Sequence, residues 1–179
     1  MGIVLYSADR RGRYNANTLM NFSSIVPPVT DSYIVDGPIG AKFDFKIAEH
    51  GLRYLFPRRD LTSTDLMELI VELVRQLQFP TKPSRYQSIF ACEKIEDANY
   101  FRENYREHDG PQPIYEILAG DNTNIHRGDM RLLDIDSLTD NAAIIFTKAI
   151  WYWSGIASNE PFWEYVVPLP AQIGKMVME

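Results

Sequence analysis

Glu164 is the carboxylate of this chain with the least obvious route to water. It lies in Asn159-Glu160-Pro161-Phe162-Trp163-Glu164-Tyr165-Val166-Val167-Pro168, where aromatic and β-branched residues favour a half-buried strand and the prolines mark its ends. Alternation puts Glu164 on one side with Phe162 and Val166, and Trp163 and Tyr165 on the other. Both sides are apolar. On an outward face the carboxylate is merely solvated; partly desolvated, it is a group that can act on a reacting centre. A second candidate set lies early in the chain, where Asp9-Arg10-Arg11-Gly12-Arg13 places three arginines in four positions after an apolar run. Guanidinium forks match phosphate and carboxylate geometry, so this turn is either solvated or an anion site at a strand end.

Other chemistries find little support. There is no GxGxxG or GxxxxGK[ST] loop and no GxSxG elbow. His50, His108 and His126 lie far apart without ligand spacing, which argues against a metal site. Cys92 follows an apolar stretch and reads as a small core residue rather than a nucleophile. A carboxylate pair for glycoside hydrolysis stays open, because any folded acidic chain supplies such pairs.

The elements that must position these groups are legible in outline. Residues Gly2 to Ala8 read as a first strand feeding the arginine turn, and Ser32 to Val35 as a short one. Ala41 to Glu49 alternates Phe43, Phe45 and Ile47 with charged neighbours, which suits a strand, with a helix as the alternative. Pro57-Arg58-Arg59-Asp60 is a second basic loop. Thr62 to Phe79 is the clearest helix, capped by Thr62 or Ser63, with Asp65 in its first turn and an apolar stripe of Leu66, Leu69, Ile70, Leu73, Val74 and Leu77. Ser84 to Cys92 reads as a strand and Ile95 to Arg106 as a helix that buries Ala98, Phe101 and Tyr105. Pro113 to Leu118 and Met130 to Ile135 are further strands, and Asp140 to Trp153 is a third helix with Asp140 as its cap.

The totals bound the class. At 179 residues, 45% hydrophobic and 23% charged, the chain suits one globular domain over 1–179. Its net charge of −6 argues against broad electrostatic binding to nucleic acid, although Arg11, Arg13, Arg58 and Arg59 leave a local basic patch open. A single cysteine excludes an internal disulfide, and neither a leader nor an apolar run of membrane-spanning length is present. The expectation is a soluble, cytoplasmic protein.

Taken in order, LYSADR, SRYQSIFA before a helix, and FWEYVVP resemble the ADP-ribosyltransferases, the mono-ADP-ribosylating toxin superfamily, over nearly the whole chain. The resemblance implies an α+β domain of two small packed β-sheets with flanking helices, and NAD bound as substrate in the central cleft without a metal. Glu164 before Tyr165-Val166-Val167-Pro168 matches the catalytic glutamate, and Ile173 to Val177 the closing strand. The resemblance assigns NAD contacts to Tyr6, Ser7 and Arg10 at the end of the first strand, and to Tyr86, Ser88 and Phe90 of the middle strand. Three departures matter. Ser7 occupies the position of the family's Arg or His, so Arg10 would hold the pyrophosphate. Phe162 replaces the first glutamate of Glu-x-Glu, which makes arginine a poor acceptor. Of the middle strand's hydroxyls Ser88 remains, with Tyr86 as a substitute, and Phe90 or Tyr86 would stack on nicotinamide.

The resemblance further implies a bacterial or phage toxin or effector that modifies protein or nucleic acid, with a neutralising antitoxin or immunity partner. Two other readings use the same residues. One is an NAD glycohydrolase that spends the bond on water. The other is a non-catalytic interaction protein, an immunity or inhibitor subunit, with Trp151-Tyr152-Trp153 and Phe162-Trp163 as interface anchors.

Overall fold

The computed structural model describes residues 2–23, 46–55, 60–105, 110–136 and 139–179. The expected strand at 32–35, the alternating stretch up to 45, Arg58, Arg59 and His108 lie outside the described residues. The strands are β1 (Ile3–Ala8), β2 (Leu19–Met20), β3 (Ser88–Ala91), β4 (Ile114–Ala119), β5 (His126–Asp129), β6 (Trp163–Pro168) and β7 (Ala171–Met178). They pair antiparallel in two small sheets, ordered β1-β4-β7-β2 and β3-β6-β5. The sheets meet where Tyr6 and Cys92 exchange backbone hydrogen bonds of 2.8 and 2.7 Å. With helices α1 (Glu49–Leu55), α2 (Ser63–Gln78), α3 (Ile95–Asn104) and α4 (Ala142–Ser154), the fold is α+β. No helix among the described residues is long and apolar enough to cross a membrane.

Strand alternation sorts β6 between two cores. Tyr165 and Val167 join Leu5, Ile89, Ile117 and Ile173 in the core where residues of the two sheets pack together. Val166, on the other face, packs with Met67, Val71 and Val74 of α2 and with Ala149, Tyr152 and Trp153 of α4. Glu164 shares that second face, as its spacing predicts, and lies opposite Gly128 of β5. A Cβ at Gly128 would collide with the Tyr152 ring, so only glycine lets that tyrosine come down onto the strand pair.

The α2 helix starts as expected, but its buried face is rotated from the expected one. Thr62 and Asp65 form a capping box, with bonds of 2.7 Å from the Thr62 amide and 3.3 Å from the Asp65 amide. Of the expected core stripe, Val74 is buried and Ile70 packs partly buried against the core, but Leu66, Leu69, Leu73 and Leu77 face out, at 46%, 41%, 45% and 75% exposure. Met67, Glu68, Val71 and Glu72, outside that stripe, are buried with Val74. This rotation of the buried face is tolerable because Glu68 and Glu72 each have a guanidinium partner, Arg85 and Arg75 respectively.

Three smaller differences bear on the site. Residues 85–87 form a 3-10 turn before β3 rather than part of a strand, which sends the Arg85 side chain inward. The strand expected over 130–135 is a 3-10 turn, Met130–Leu133, because the Asp129 carboxylate accepts the Arg131 amide at 3.0 Å and bends the chain. The strand beside β6 is β5 instead, a polar HRGD segment. The cap of α4 is Asn141, accepting the Ile144 amide at 3.1 Å, one residue later than Asp140.

Candidate functional site

A cavity of about 730 Å³ opens between the end of β1, α1, β3, α3 and the start of β6. It gathers Tyr6, Ser7, Arg10, Phe90 and Glu164 from distant parts of the sequence. Tyr86 and Ser88 are not among its lining residues. Ser88 is fully buried and its hydroxyl donates to the Ser84 carbonyl at 2.6 Å, while Tyr86 is buried in the core. Their part in the structure is to hold the turn before β3, not to face the cleft.

Glu164 is 5% exposed and anchored on one oxygen. Its Oε1 accepts hydrogen bonds from Arg85 Nη1 and from the Tyr152 hydroxyl, the latter at 2.8 Å. Among the described residues no donor reaches Oε2, which leaves that oxygen for the cavity. Burial pushes the Glu164 carboxyl above its ordinary pKa, while Arg85 and Tyr152 pull it back down. Arg85 is the largest influence opposing that desolvation. It is itself buried and fixed: Nε and Nη2 donate to Glu68 at 2.8 and 2.7 Å, and Nη1 reaches Tyr152 Oη at 2.6 Å. Its guanidinium also lies 4.4 Å from the Phe90 ring centroid.

The arginine turn is organised from beneath. Asp9 is buried, and its carboxylate accepts the backbone amides of Arg11, Arg13 and Tyr14 at 3.2, 2.9 and 2.8 Å. Gly12, at φ 65°, makes the left-handed step this loop needs. The side chains of Arg10, Arg11 and Arg13 consequently border the cavity. Arg10 lies 4.8 Å over the Phe101 ring and donates to the Tyr105 carbonyl at 3.0 Å, so it also ties β1 to the end of α3. Arg13 pairs with Glu49 at 3.0 Å. Ser7 is buried and shares a 3.0 Å hydrogen bond with Tyr14, whose phenol burial pushes upward in pKa.

His50 and Tyr54 of α1, one helical turn apart, also line the cavity, with ring centroids 4.7 Å from each other. Burial first, and then the charges of Arg85, Arg10, Arg11 and Arg53, hold the His50 imidazole well below its ordinary pKa, so it is neutral. Cys92 also borders the cavity, but burial raises its thiol to about 12, which leaves it protonated and unreactive. Among the described residues no group of three or more His, Cys, Asp or Glu is arranged to hold a metal ion.

Sequence reasoning assigned Glu164 but missed Arg85, Glu68, Tyr152 and His50. One signal was available for the first two. Glu68 and Glu72 are four residues apart on the side of α2 that carries Met67, Val71 and Val74, and acids on such a face demand buried cations. No local pattern marks Tyr152, which reads as one aromatic among three.

The family described as "Protein of unknown function (DUF2441)" matches residues 40–179, which includes α1 and every element after it and leaves β1 and the arginine turn outside the match. No curated protein matches the chain.

Proposed function

The chain belongs to the DUF2441 family, and for this member we propose NAD-dependent transfer of ADP-ribose to a macromolecular acceptor, protein or nucleic acid, with Glu164 as the catalytic carboxylate. The observation that carries the reading is the asymmetry of Glu164, with Oε1 fixed by Arg85 and Tyr152 and Oε2 left for the cavity. In the reaction the bond from C1′ of the ribose to nicotinamide breaks, its electron pair leaving with the ring, and positive charge develops on the ribose. The acceptor then adds at C1′ and gives up a proton. A carboxylate that holds the 2′-hydroxyl and faces that charge is worth more in the transition state than in the ground state. Fixing it in advance removes the cost of orienting it during reaction.

Three further features favour this substrate. The cavity, about 730 Å³, falls within the roughly 300–1,000 Å³ of small-molecule sites. Arg10, Arg11 and Arg13 border it on one side, where a diphosphate would need cations. Aromatic rings of Phe90 and Tyr54 border it near Glu164's partner Arg85, where a flat ring would pack. The order LYSADR, SRYQSIFA, FWEYVVP on two small sheets agrees with the resemblance to ADP-ribosyltransferases, in which such an activity serves as a toxin or effector held in check by a partner.

The test is to incubate the purified protein with labelled NAD and a whole-cell lysate, beside Glu164→Gln. Label passing to protein or nucleic acid with the wild type alone supports transfer and identifies the polymer. Release of free ADP-ribose, lost in the variant, makes the protein a glycohydrolase. No consumption of NAD overturns the catalytic reading.

One observation favours a second reading, a binding protein. The exposed leucines of α2, together with Phe146 and Trp151 of α4 at 42% and 44% exposure, are apolar surface of the kind partners cover. Of the aromatic run Trp151-Tyr152-Trp153 only Trp151 is available for this, since Tyr152 and Trp153 are fully buried. A binder of this kind keeps its function in the Glu164→Gln variant.

A further inference from the structure

Arg85 binds two buried carboxylates, and it binds them unequally. Its Nε and Nη2 donate to the two oxygens of Glu68 at 2.8 and 2.7 Å, a fork that engages one whole edge of the guanidinium. Such a fork fixes the plane of the group. Glu164 therefore meets Nη1 alone, which donates to its Oε1 and also to the Tyr152 hydroxyl, the latter at 2.6 Å. Arginine and carboxylate pair best with two nitrogens on two oxygens. Without Glu68, the Nε–Nη2 edge can turn to Glu164 and cover Oε2 as well as Oε1.

Stability alone does not account for Glu68. A buried ion pair is often no more stabilising than apolar side chains of the same volume, yet α2 leaves Leu66, Leu69, Leu73 and Leu77 exposed while it buries this acid. The same helix supplies a comparison. Glu72 is also buried and also pairs with a guanidinium, that of Arg75, at 2.8 Å. Arg75 continues to the Lys82 carbonyl at 3.0 Å, and neither Glu72 nor Arg75 borders the cavity. Glu68 and Arg85 both do. Of two similar pairs, one ends in the scaffold and the other at Glu164. The other titratable groups around Glu164 are Tyr152 of α4, Cys92 at the end of β3 and His126 of the adjoining β5. Burial holds the Cys92 thiol at about 12 and the His126 imidazole at about 4, so both are uncharged near neutral pH.

We propose that Glu68 is a positioning residue for the transfer reaction: by holding the Nε–Nη2 edge of Arg85, it restricts that arginine to Oε1 of Glu164 and leaves Oε2 for the ribose. The inference rests on the transfer reading above, in which the Glu164 carboxylate holds the 2′-hydroxyl. Glu68 acts through Arg85 and touches no reacting atom.

The test is nicotinamide release from NAD, measured against NAD concentration and pH for the wild type, Glu68→Gln and Glu72→Gln. Glu68→Gln keeps the bulk but loses the charge and one acceptor, so Arg85 turns to Glu164. The expected result is a kcat about ten- to a hundredfold lower at neutral pH, with KM within about threefold. The acid limb of kcat, where Glu164 takes up a proton, moves to lower pH, because the charge of Glu68 raises the Glu164 pKa and that of Arg85 lowers it. Glu72→Gln keeps kcat within about twofold and its acid limb in place. A lower kcat with the acid limb unmoved or moved up shows Arg85 loosened rather than turned, and overturns the proposal. An acid limb moved down at unchanged kcat makes Glu68 a bystander charge and overturns it too. So does an equal fall in Glu72→Gln, which marks a general weakening of α2. If Glu68→Gln does not fold, Glu68→Asp carries the same prediction for kcat, since it falls one methylene short of the fork; unchanged turnover there overturns the role of Glu68 and leaves the transfer reading intact. Release of no nicotinamide by the wild type overturns the transfer reading itself, and this inference with it.

Discussion

Replacing Arg85 with methionine keeps the bulk of the stem and removes the cation that pairs with two buried carboxylates. In the folded protein the Glu68 and Glu164 side chains are each about 7% exposed, and Arg85 binds both. Breaking a buried pair by removing one partner costs about 3–5 kcal/mol, because the other charge stays buried. For a chain of this size that lowers Tm by about 6–20 °C. The pH dependence gives a sharper signature. Glu164 is held above its ordinary pKa in the folded state, so its contribution to stability is full below the unfolded value and is lost as pH rises through the folded value. Arg85 is the largest influence pulling that value down, so its removal moves the folded value further up. The deficit of Arg85→Met relative to wild type is therefore largest at neutral pH and above, and narrows as pH falls into the acid range and Glu164 takes up a proton. Urea unfolding of both proteins across that range measures it. A deficit below about 1 kcal/mol, or one that does not change with pH, refutes the buried Glu68–Arg85–Glu164 arrangement.

The other tests address the scaffold. Asp129→Ala removes a fully buried carboxylate that accepts the amides of Arg131, Ser158 and Phe162 at 3.0, 2.7 and 2.9 Å. It is expected to cost about 3 kcal/mol or more in chemical denaturation, and to speed hydrogen exchange at those three amides, because each is left unpaired. On α2, Met67→Ala is expected to cost about 2–5 kcal/mol and Leu73→Ala less than about 0.5 kcal/mol, since Met67 is buried and Leu73 is 45% exposed. Equal losses at the two positions in the same unfolding assay would contradict the orientation of the helix.

That helix shows what periodicity does and does not convey. The spacing of Leu66, Leu69, Leu73 and Leu77 marks a stripe, but whether the stripe meets the core depends on groups far away in sequence. Once Arg85 and Arg75 neutralise Glu68 and Glu72, the acidic side can turn inward. The Glu164 strand was more legible because its information is local: with apolar residues on both faces, neither face offered the carboxylate water, and the structure buries it. Its partners were not legible, since Arg85 lies 79 residues away and becomes visible only through the pairing of β3 with β6. Strand β5 escaped notice because its sequence, HRGD, is polar. Gly128 is there to admit Tyr152, and Asp129 to collect backbone amides, and neither role leaves an alternating apolar pattern. The arginine turn was read as either solvated or anion-binding; Asp9 beneath it, binding three amides, is what gives it a fixed shape.

The most direct measurement of the central claim is the rate at which nicotinamide is released from NAD by the wild type and by Glu164→Gln. The account predicts measurable release by the wild type and a rate about a hundred- to a thousandfold lower in the variant, corresponding to about 2.7–4 kcal/mol of lost electrostatic stabilisation. The variant should still fold, because Arg85 keeps its two bonds to Glu68. A variant that releases nicotinamide within about threefold of the wild-type rate would contradict the catalytic role of Glu164. A wild type that releases none would contradict the account altogether.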